Sequence, residues 1–327
     1  MQYKSSPHPG TVFIRHFSAR PGRNLIPKTG QEEPDLLDEF QVEWRHYPII
    51  LILIATATFV LAYDFYYLVV LEEKLEPLDD SKFAEYELQT IIPVTPTTSL
   101  FRFRADIPDH MNLPMPSHVV LKDDSCQVGR SYTPISYGRQ FFDLLVKRYD
   151  DGLVSRFVHS LEPGRKVEMR GPILTFPYER NMAPEIGMIA GGTGIAPMYQ
   201  LIKHILRDPD DCTQISLVYA NKTQQEILLR RELDILVSQH PDRLKVFYTL
   251  DSVEEKGWTG GRGFIDKKMI RENIPSADKE GGALVLVCGP DPMVRHVAGN
   301  KLAENRQGPI GGLLKELSFS PQQVFKF

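Results

Sequence analysis

The residues best placed for chemistry are Gly191, Gly192, Thr193 and Gly194, in the stretch MIAGGTGIAPMYQLI over 188–202. They separate an apolar run from an amphipathic pattern. A turn from strand into helix presents unpaired backbone N–H groups at the positive end of the helix, and glycine lets a phosphate approach the backbone closely. The spacing is not GxGxxG, so a standard dinucleotide fold is not implied, and a plain strand-to-helix turn accounts for the same residues. A second stretch, RSYTPIS over 130–136, places Arg130, Tyr132 and Thr133 on a predicted strand, where positions i and i+2 share a face. An arginine fork suits a diphosphate, and an aromatic ring beside a hydroxyl suits a flat ring such as a flavin. An exposed strand turning at Pro134 is the plainer alternative.

The elements that must hold these residues fall into two textures. From Ala84 to about Pro177 short segments (FAEYELQTII, SLFRFRA, SHVVLK, QFFDLLVKRY, RKVEMRGP) alternate with the period of half-buried strands, which predicts an antiparallel barrel or sandwich. Leu153, Phe157, Val158 and Leu161 predict one short helix there. Beyond TFPYERNMAPE, the runs IGMIA, QISLVYA, LKVFYTL and ALVLVC are nearly continuously apolar, as strands buried on both faces must be. Helix-length patterns lie between them: PMYQLIKHILRD, EILLRRELDILVSQH, DKKMIRENI and DPMVRHVAGNKLAE. Strand and helix in alternation predict a doubly wound parallel sheet.

With 327 residues the chain exceeds one ordinary core, and a net charge of −4 argues against a nucleic-acid partner. Cys126, Cys212 and Cys288 form no CxxC or metal-ligand pattern. Residues 1–31 hold Lys4, Arg15, Arg20, Arg23 and Lys28 without an acid, the bias of a mitochondrial presequence, and RHFSAR resembles a processing site; a basic tail without an address is the alternative. The acidic stretch EEPDLLDEF follows and reads as a solvated charge run. From Pro48 to Leu71 the chain reads as a single membrane span, with Trp44–Tyr47 and the cluster Tyr63, Phe65, Tyr66 and Tyr67 as interfacial belts and Asp64 at headgroup level. That leaves about 18 apolar residues, near the minimum for a bilayer. A core helix of a soluble protein is the rival reading. The expected divisions are 1–47 presequence and acidic segment, 48–71 anchor, 72–83 linker, 84–177 first domain and 184–327 second domain.

The ordered set RSYTPIS, DLLVKRY, GLVS with GRKVEMRGP, GMIAGGTGIAPM, YANKTQQEILLRREL, YTLD, VLVCGPDPM and a terminal FKF resembles the NADH-cytochrome b5 reductase family, within the ferredoxin reductase superfamily, over about residues 84–327. The resemblance implies an α+β two-domain fold: an antiparallel six-stranded FAD-binding β-barrel, then an α/β NAD-binding domain with a doubly wound parallel sheet. The N-terminal transmembrane helix lies outside it. Arg130, Ser131, Tyr132 and Thr133 then form the FAD segment, with Arg130 on the diphosphate and the Thr133 hydroxyl near flavin N5. Lys147 and Tyr149 match the family's KxY segment near FAD, and Val154 and Ser155 match its pyrophosphate turn. His118 matches a family histidine, although Pro116 and Ser117 replace the usual Gly-Gln before it.

For the second nucleotide, Gly191 to Gly194 match the pyrophosphate and nicotinamide loop. Cys288, Gly289, Pro290 and Met293 match the loop that sets a cysteine beside the nicotinamide, for positioning and not as a nucleophile. Asp251 matches the acid that favours NADH over NADPH, and the terminal Phe327 completes the cofactor-binding set. Three departures mark a divergent branch: Ala196 for threonine, Asp291 for proline and Lys326 in FKF.

The implied activity is an NADH-dependent FAD oxidoreductase that takes hydride onto the flavin, with Thr133 and Cys288 beside the reacting atoms. Single electrons then pass to a haem protein: cytochrome b5 by family analogy, or cytochrome c or its haem, served by the haem lyase system, during maturation. No metal is required. A presequence followed by a stop-transfer anchor implies the mitochondrial inner membrane, with the catalytic domains in the intermembrane space. The rival from another class is a non-catalytic, nucleotide-binding mitochondrial membrane assembly factor.

Overall fold

The computed structural model describes residues 47–70, 75–108, 113–123, 128–253, 257–279, 282–302 and 306–327; of 65–70 only the backbone is described. Of the presequence and acidic segment expected over 1–47, residues 1–46 lie outside the described residues, as does Cys126. The chain divides into two units, residues 1–72 and 73–327.

In the first unit, helix α1 spans Tyr47–Val70, close to the anchor expected over 48–71. Pro48 sits in its first turn, where a missing N–H costs nothing. The window Tyr47–Asp64 has mean hydropathy 1.8 and none of it is buried, so it is long and apolar enough to cross a membrane.

The second unit opens on an antiparallel lobe of seven strands: β1 (Ala84–Thr95), β2 (Thr98–Arg104), β3 (Ser117–Lys122), β4 (Gly129–Tyr132), β5 (Pro134–Gly138), β6 (Phe141–Lys147) and β7 (Lys166–Leu174). Helix α2 (Leu153–His159) lies between β6 and β7, as the spacing of Leu153, Phe157 and Val158 requires. The sheet order is β4-β3-β7-β1-β2-β6-β5. Alternation drives its core: Phe101, Phe103, Leu121, Phe142 and Met169 are fully buried, and each such burial contributes on the order of 1.5–3 kcal/mol. Leu78, from the segment expected as a linker, joins that core.

Among the described residues the sheet has seven strands where six were expected. Gly129–Gly138 is broken at Thr133, and its halves pair at opposite edges, β4 with β3 and β5 with β6. Pro134 has no N–H with which to continue the first ladder. The chain therefore passes from one sheet edge to the other through Thr133 alone.

The second lobe contains a six-stranded sheet ordered β11-β10-β9-β8-β12-β13. Its strands are β8 (Glu185–Gly191), β9 (Gln214–Asn221), β10 (Leu244–Leu250), β11 (Gly261–Arg262), β12 (Ala283–Cys288) and β13 (Val324–Lys326), and every pairing is parallel. Helices α3 (Ile195–Arg207), α4 (Arg230–Gln239), α5 (Lys267–Asn273), α6 (Asp291–Ala298) and α7 (Gly312–Glu316) flank it. The largest departures from the expected helix bounds are at the start of α4 and the end of α6. α4 starts at Arg230 because Leu229 is left-handed (φ 55°), and α6 stops at Ala298 because Gly299 takes φ 87°. β11, β13 and α7 are too short to show a period in sequence. One apolar cluster runs through both lobes, packing Ile135 and Leu145 with α3 residues such as Met198, Leu201 and Ile202.

Candidate functional site

The parallel sheet reverses its strand order between β8 and β12, and the loops that leave those two strands face one crevice. Open α/β sheets bind ligands at this switch point. Gly191 to Gly194 follow β8, and Cys288, Gly289 and Pro290 follow β12. Packing requires glycine at 194, where a Cβ would collide with the Cys288 carbonyl; a Cβ on Gly191 would lie 2.5 Å from Met293 Sδ, the far end of a flexible side chain. Gly192 differs. It takes φ +54° and faces open space, so its backbone is exposed to a ligand while the Tyr219 hydroxyl donates to its carbonyl at 2.9 Å. Ala196, in the first turn of α3, is buried.

The crevice continues into a cleft of about 750 Å³ whose walls come from both lobes. From the first lobe come Thr97, Lys147 and Tyr149; from the second come Gly191, Gly192, Asn221, Asp251, Pro290 and Met293. Expected residues of the two nucleotide sets thus line one cavity. Phe264, which the sequence reading missed, stands 77% exposed in it. Thr97 Oγ1 and Asn221 Nδ2 are buried without a hydrogen-bond partner. Buried polar atoms are nearly always paired, so two orphans in one cleft fit a polar ligand.

Asp251 follows β10, its N–H donating to the Asn221 carbonyl at 3.0 Å. Burial raises its carboxyl above the ordinary value, Lys222 pulls it back and Glu226 adds to the rise. The resemblance puts Lys147 beside FAD, and here its ammonium meets Glu226 Oε2 at 2.8 Å across the two lobes. Glu226 carried no signal in sequence because its partner is 79 residues away.

Arg130 lies exposed on β4, its Nη1 donating to the Gly129 carbonyl, which leaves most of the guanidinium fork facing solvent. Ser131 is exposed, and Tyr132 and Thr133 are half-buried. Burial pushes the Tyr132 hydroxyl up to about 12. Tyr149 is exposed at its ring, and its N–H donates to Ser155 Oγ at 3.1 Å. Ser155 Oγ donates in turn to the Gly152 carbonyl, and the Val154 side chain is in the core. That serine hydroxyl closes its own turn and keeps one lone pair open to a further donor.

Cys288 is half-buried, and burial pushes its thiol up to about 12 although the Lys301 charge opposes the rise. It is a neutral thiol at neutral pH and unsuited to nucleophilic attack. His118 on β3 bonds Thr175 Oγ1 through Nδ1 at 2.8 Å. Burial first, then Arg170 and Lys301, hold the ring below the ordinary histidine value. Phe327 donates its N–H to the Val287 carbonyl and packs edge-on to Phe325 at 5.0 Å. Lys326, flagged as a departure, is buried and donates to the Asn300 and Pro309 carbonyls, an anchor for the terminal strand.

An antiparallel lobe with an exposed arginine fork, joined to a parallel lobe with a switch-point glycine loop, defines a two-domain nucleotide-binding oxidoreductase. Residues 85–178 match the oxidoreductase FAD-binding domain family and residues 188–299 the oxidoreductase NAD-binding domain family. An NADH-cytochrome b5 reductase-like protein of Arabidopsis thaliana is 42% identical over 260 residues, covering 76% of this chain and 78% of the relative. NADH-cytochrome b5 reductase 2 of Aspergillus terreus is 39% identical over 254 residues, covering 76% and 79%. The crystal structure of the cytochrome b5 reductase domain of Ulva prolifera nitrate reductase superposes with TM-score 0.66 at 34% identity, covering 77% of this chain and all 100% of that one. The chain belongs to the NADH-cytochrome b5 reductase family and is an FAD- and NAD-binding oxidoreductase.

Proposed function

We propose that this chain is a membrane-anchored NADH-dependent FAD reductase that delivers single electrons to a haem protein. The observation that carries the reading is the shared cleft, in which Lys147 and Tyr149 of the first lobe face Gly192, Asp251 and Pro290 of the second. Bound FAD supplies the conversion of one hydride from NADH into two single electrons. The chain's own residues bind and align. Arg130 holds the diphosphate of FAD, Ser131, Tyr132 and Thr133 lie along its ring system, and Tyr149 covers it. The backbone of Gly192 to Gly194 receives the pyrophosphate of NADH, and Asp251 accepts a ribose hydroxyl bond that a 2′-phosphate would turn into repulsion. Cys288, as a neutral thiol, packs beside the nicotinamide without reacting, and the apolar edges of Phe264, Pro290 and Met293 exclude water.

The acceptor is a cytochrome b5-type haem protein, the partner that the relatives' names carry. A haem group met during cytochrome c maturation, within the haem lyase system, is the acceptor that the anchor and basic N-terminus favour. With the N-terminus in the matrix and α1 in the inner membrane, the two lobes face the intermembrane space. The test is stopped-flow absorbance of the full chain in detergent, mixed with NADH and then separately with oxidised cytochrome b5, cytochrome c and haem. Flavin bleaching followed by fast reduction of one acceptor supports the reading and names the acceptor. Bound FAD that NADH does not bleach overturns it in favour of a non-catalytic assembly factor.

A further inference from the structure

The helix after the glycine loop carries a polar side chain that none of this chemistry uses. Gln200 lies on α3, is 5% exposed and sits inside the apolar contact between the lobes. A buried amide costs free energy unless both of its ends are paired, and both are. Its Oε1 accepts the Ser117 N–H at 2.7 Å, and its Nε2 donates to the Pro134 carbonyl at 3.1 Å. The partners are backbone groups on different strands, β3 and β5. Ser117 precedes His118, and Pro134 follows Thr133.

One side chain therefore grips the neighbours of two flavin-side candidates, His118 and Thr133, from the helix that begins at the nicotinamide-side loop. A second, weaker contact runs the same way, from Lys203 Nζ to the Ile135 carbonyl at 3.5 Å. Apolar packing of Ile135 against α3 holds the lobes together without fixing their sliding register. A two-ended amide does fix it, because its bonds are short and directional.

We infer that Gln200 is a positioning residue for hydride transfer: it sets the register of the Thr133 strand break against the Gly192–Gly194 loop, and so the spacing of the two rings. The inference rests on the reductase reading above. A misplacement on the order of 1 Å can slow a reaction about 100-fold without abolishing binding.

The test uses Gln200→Met, which keeps volume and loses both bonds, and Gln200→Glu, which keeps the acceptor and donates only when protonated. The groups facing position 200 are the Tyr137 hydroxyl of β5, which hydrogen-bonds Gln200, the Ser117 hydroxyl of β3, Arg139, and Lys203, His204 and Arg207 on its own helix. Tyr137 is pushed up to about 12 by burial and stays neutral through the range tested. Both variants are expected to retain FAD and a near-normal KM for NADH. Hydride transfer should slow by about 10- to 100-fold in Gln200→Met. In Gln200→Glu the rate should be low near pH 8 and recover as pH falls toward about 5.5 and the buried carboxyl takes a proton. The parent should show no such recovery.

Without NADH, the Ser117 amide should exchange hydrogen faster in Gln200→Met, and the visible circular dichroism of the bound flavin should change. Parent-like hydride rates in both variants, or a Gln200→Glu rate that does not rise at low pH, would overturn the inference while leaving the reductase reading intact. Loss of FAD from both variants would also overturn it, by assigning the residue to folding of the first lobe. A parent enzyme that NADH does not bleach would overturn the reductase reading and this inference with it.

Discussion

The carbonyl of Cys288, at the end of β12, rests against the Cα of Gly194, at the end of the loop after β8, with no space for a methyl group between them. This contact locks the two switch-point loops together and sets the width of the crevice that they bound.

Gly194→Ala should therefore push the loops apart. Overpacking of this kind costs about 1–3 kcal/mol. The expected outcome is a lower urea midpoint together with weaker NADH binding, measured by equilibrium unfolding and by titration of flavin fluorescence. An unchanged midpoint would mean that β12 shifts freely, against the packing seen.

Asp251 sets the choice of dinucleotide. Asp251→Ala removes the carboxylate that repels a 2′-phosphate and the acceptor that holds a ribose hydroxyl. The ratio of kcat/KM for NADH to that for NADPH should fall by about 10- to 100-fold, equivalent to about 1.4–2.7 kcal/mol. Steady-state kinetics with both dinucleotides would check it.

The Lys147–Glu226 pair bridges the lobes at 2.8 Å, with side chains 17% and 24% exposed. Glu226→Gln should leave the lysine charge without its partner inside the cleft. A loss of about 1 kcal/mol is expected for such a partly exposed pair. The freed ammonium should also attract the NADH phosphates, lowering KM at low salt and losing that advantage as salt rises. Unfolding curves and KM at two ionic strengths would separate the two effects.

Burial carries the Cys288 thiol from 9.0 to about 12 and the Tyr132 and Tyr137 hydroxyls from 10.0 to about 12. Between those limits the unfolded chain loses protons that the folded chain keeps. The folded state then binds more protons, so stability falls as pH rises. Unfolding free energy should decline from about pH 9 upward, each group contributing at most about 1.4 kcal/mol per pH unit. Cys288→Ser should flatten the first part of that decline, which urea titrations across the range would reveal.

Local pattern carried much of this protein. The continuous apolar runs that became β8, β9, β10 and β12 could be read directly, since a strand covered on both faces has no polar face to offer. The glycine loop was legible because its residue types state a backbone requirement. α1 was legible from length and apolarity. What tertiary structure alone decided was which distant residues meet. Gln200 and Ser117 are 83 residues apart, and no periodicity relates a buried amide on one lobe to a backbone N–H on the other. The break at Thr133 became visible only when the two halves of one predicted strand took different neighbours. The bonds by which the Ser155 hydroxyl closes its own turn, to the Tyr149 N–H and the Gly152 carbonyl, likewise carry no sequence period. Residue types and spacing determine what a segment can do; which donor meets which acceptor is settled only when packing brings the lobes into one register.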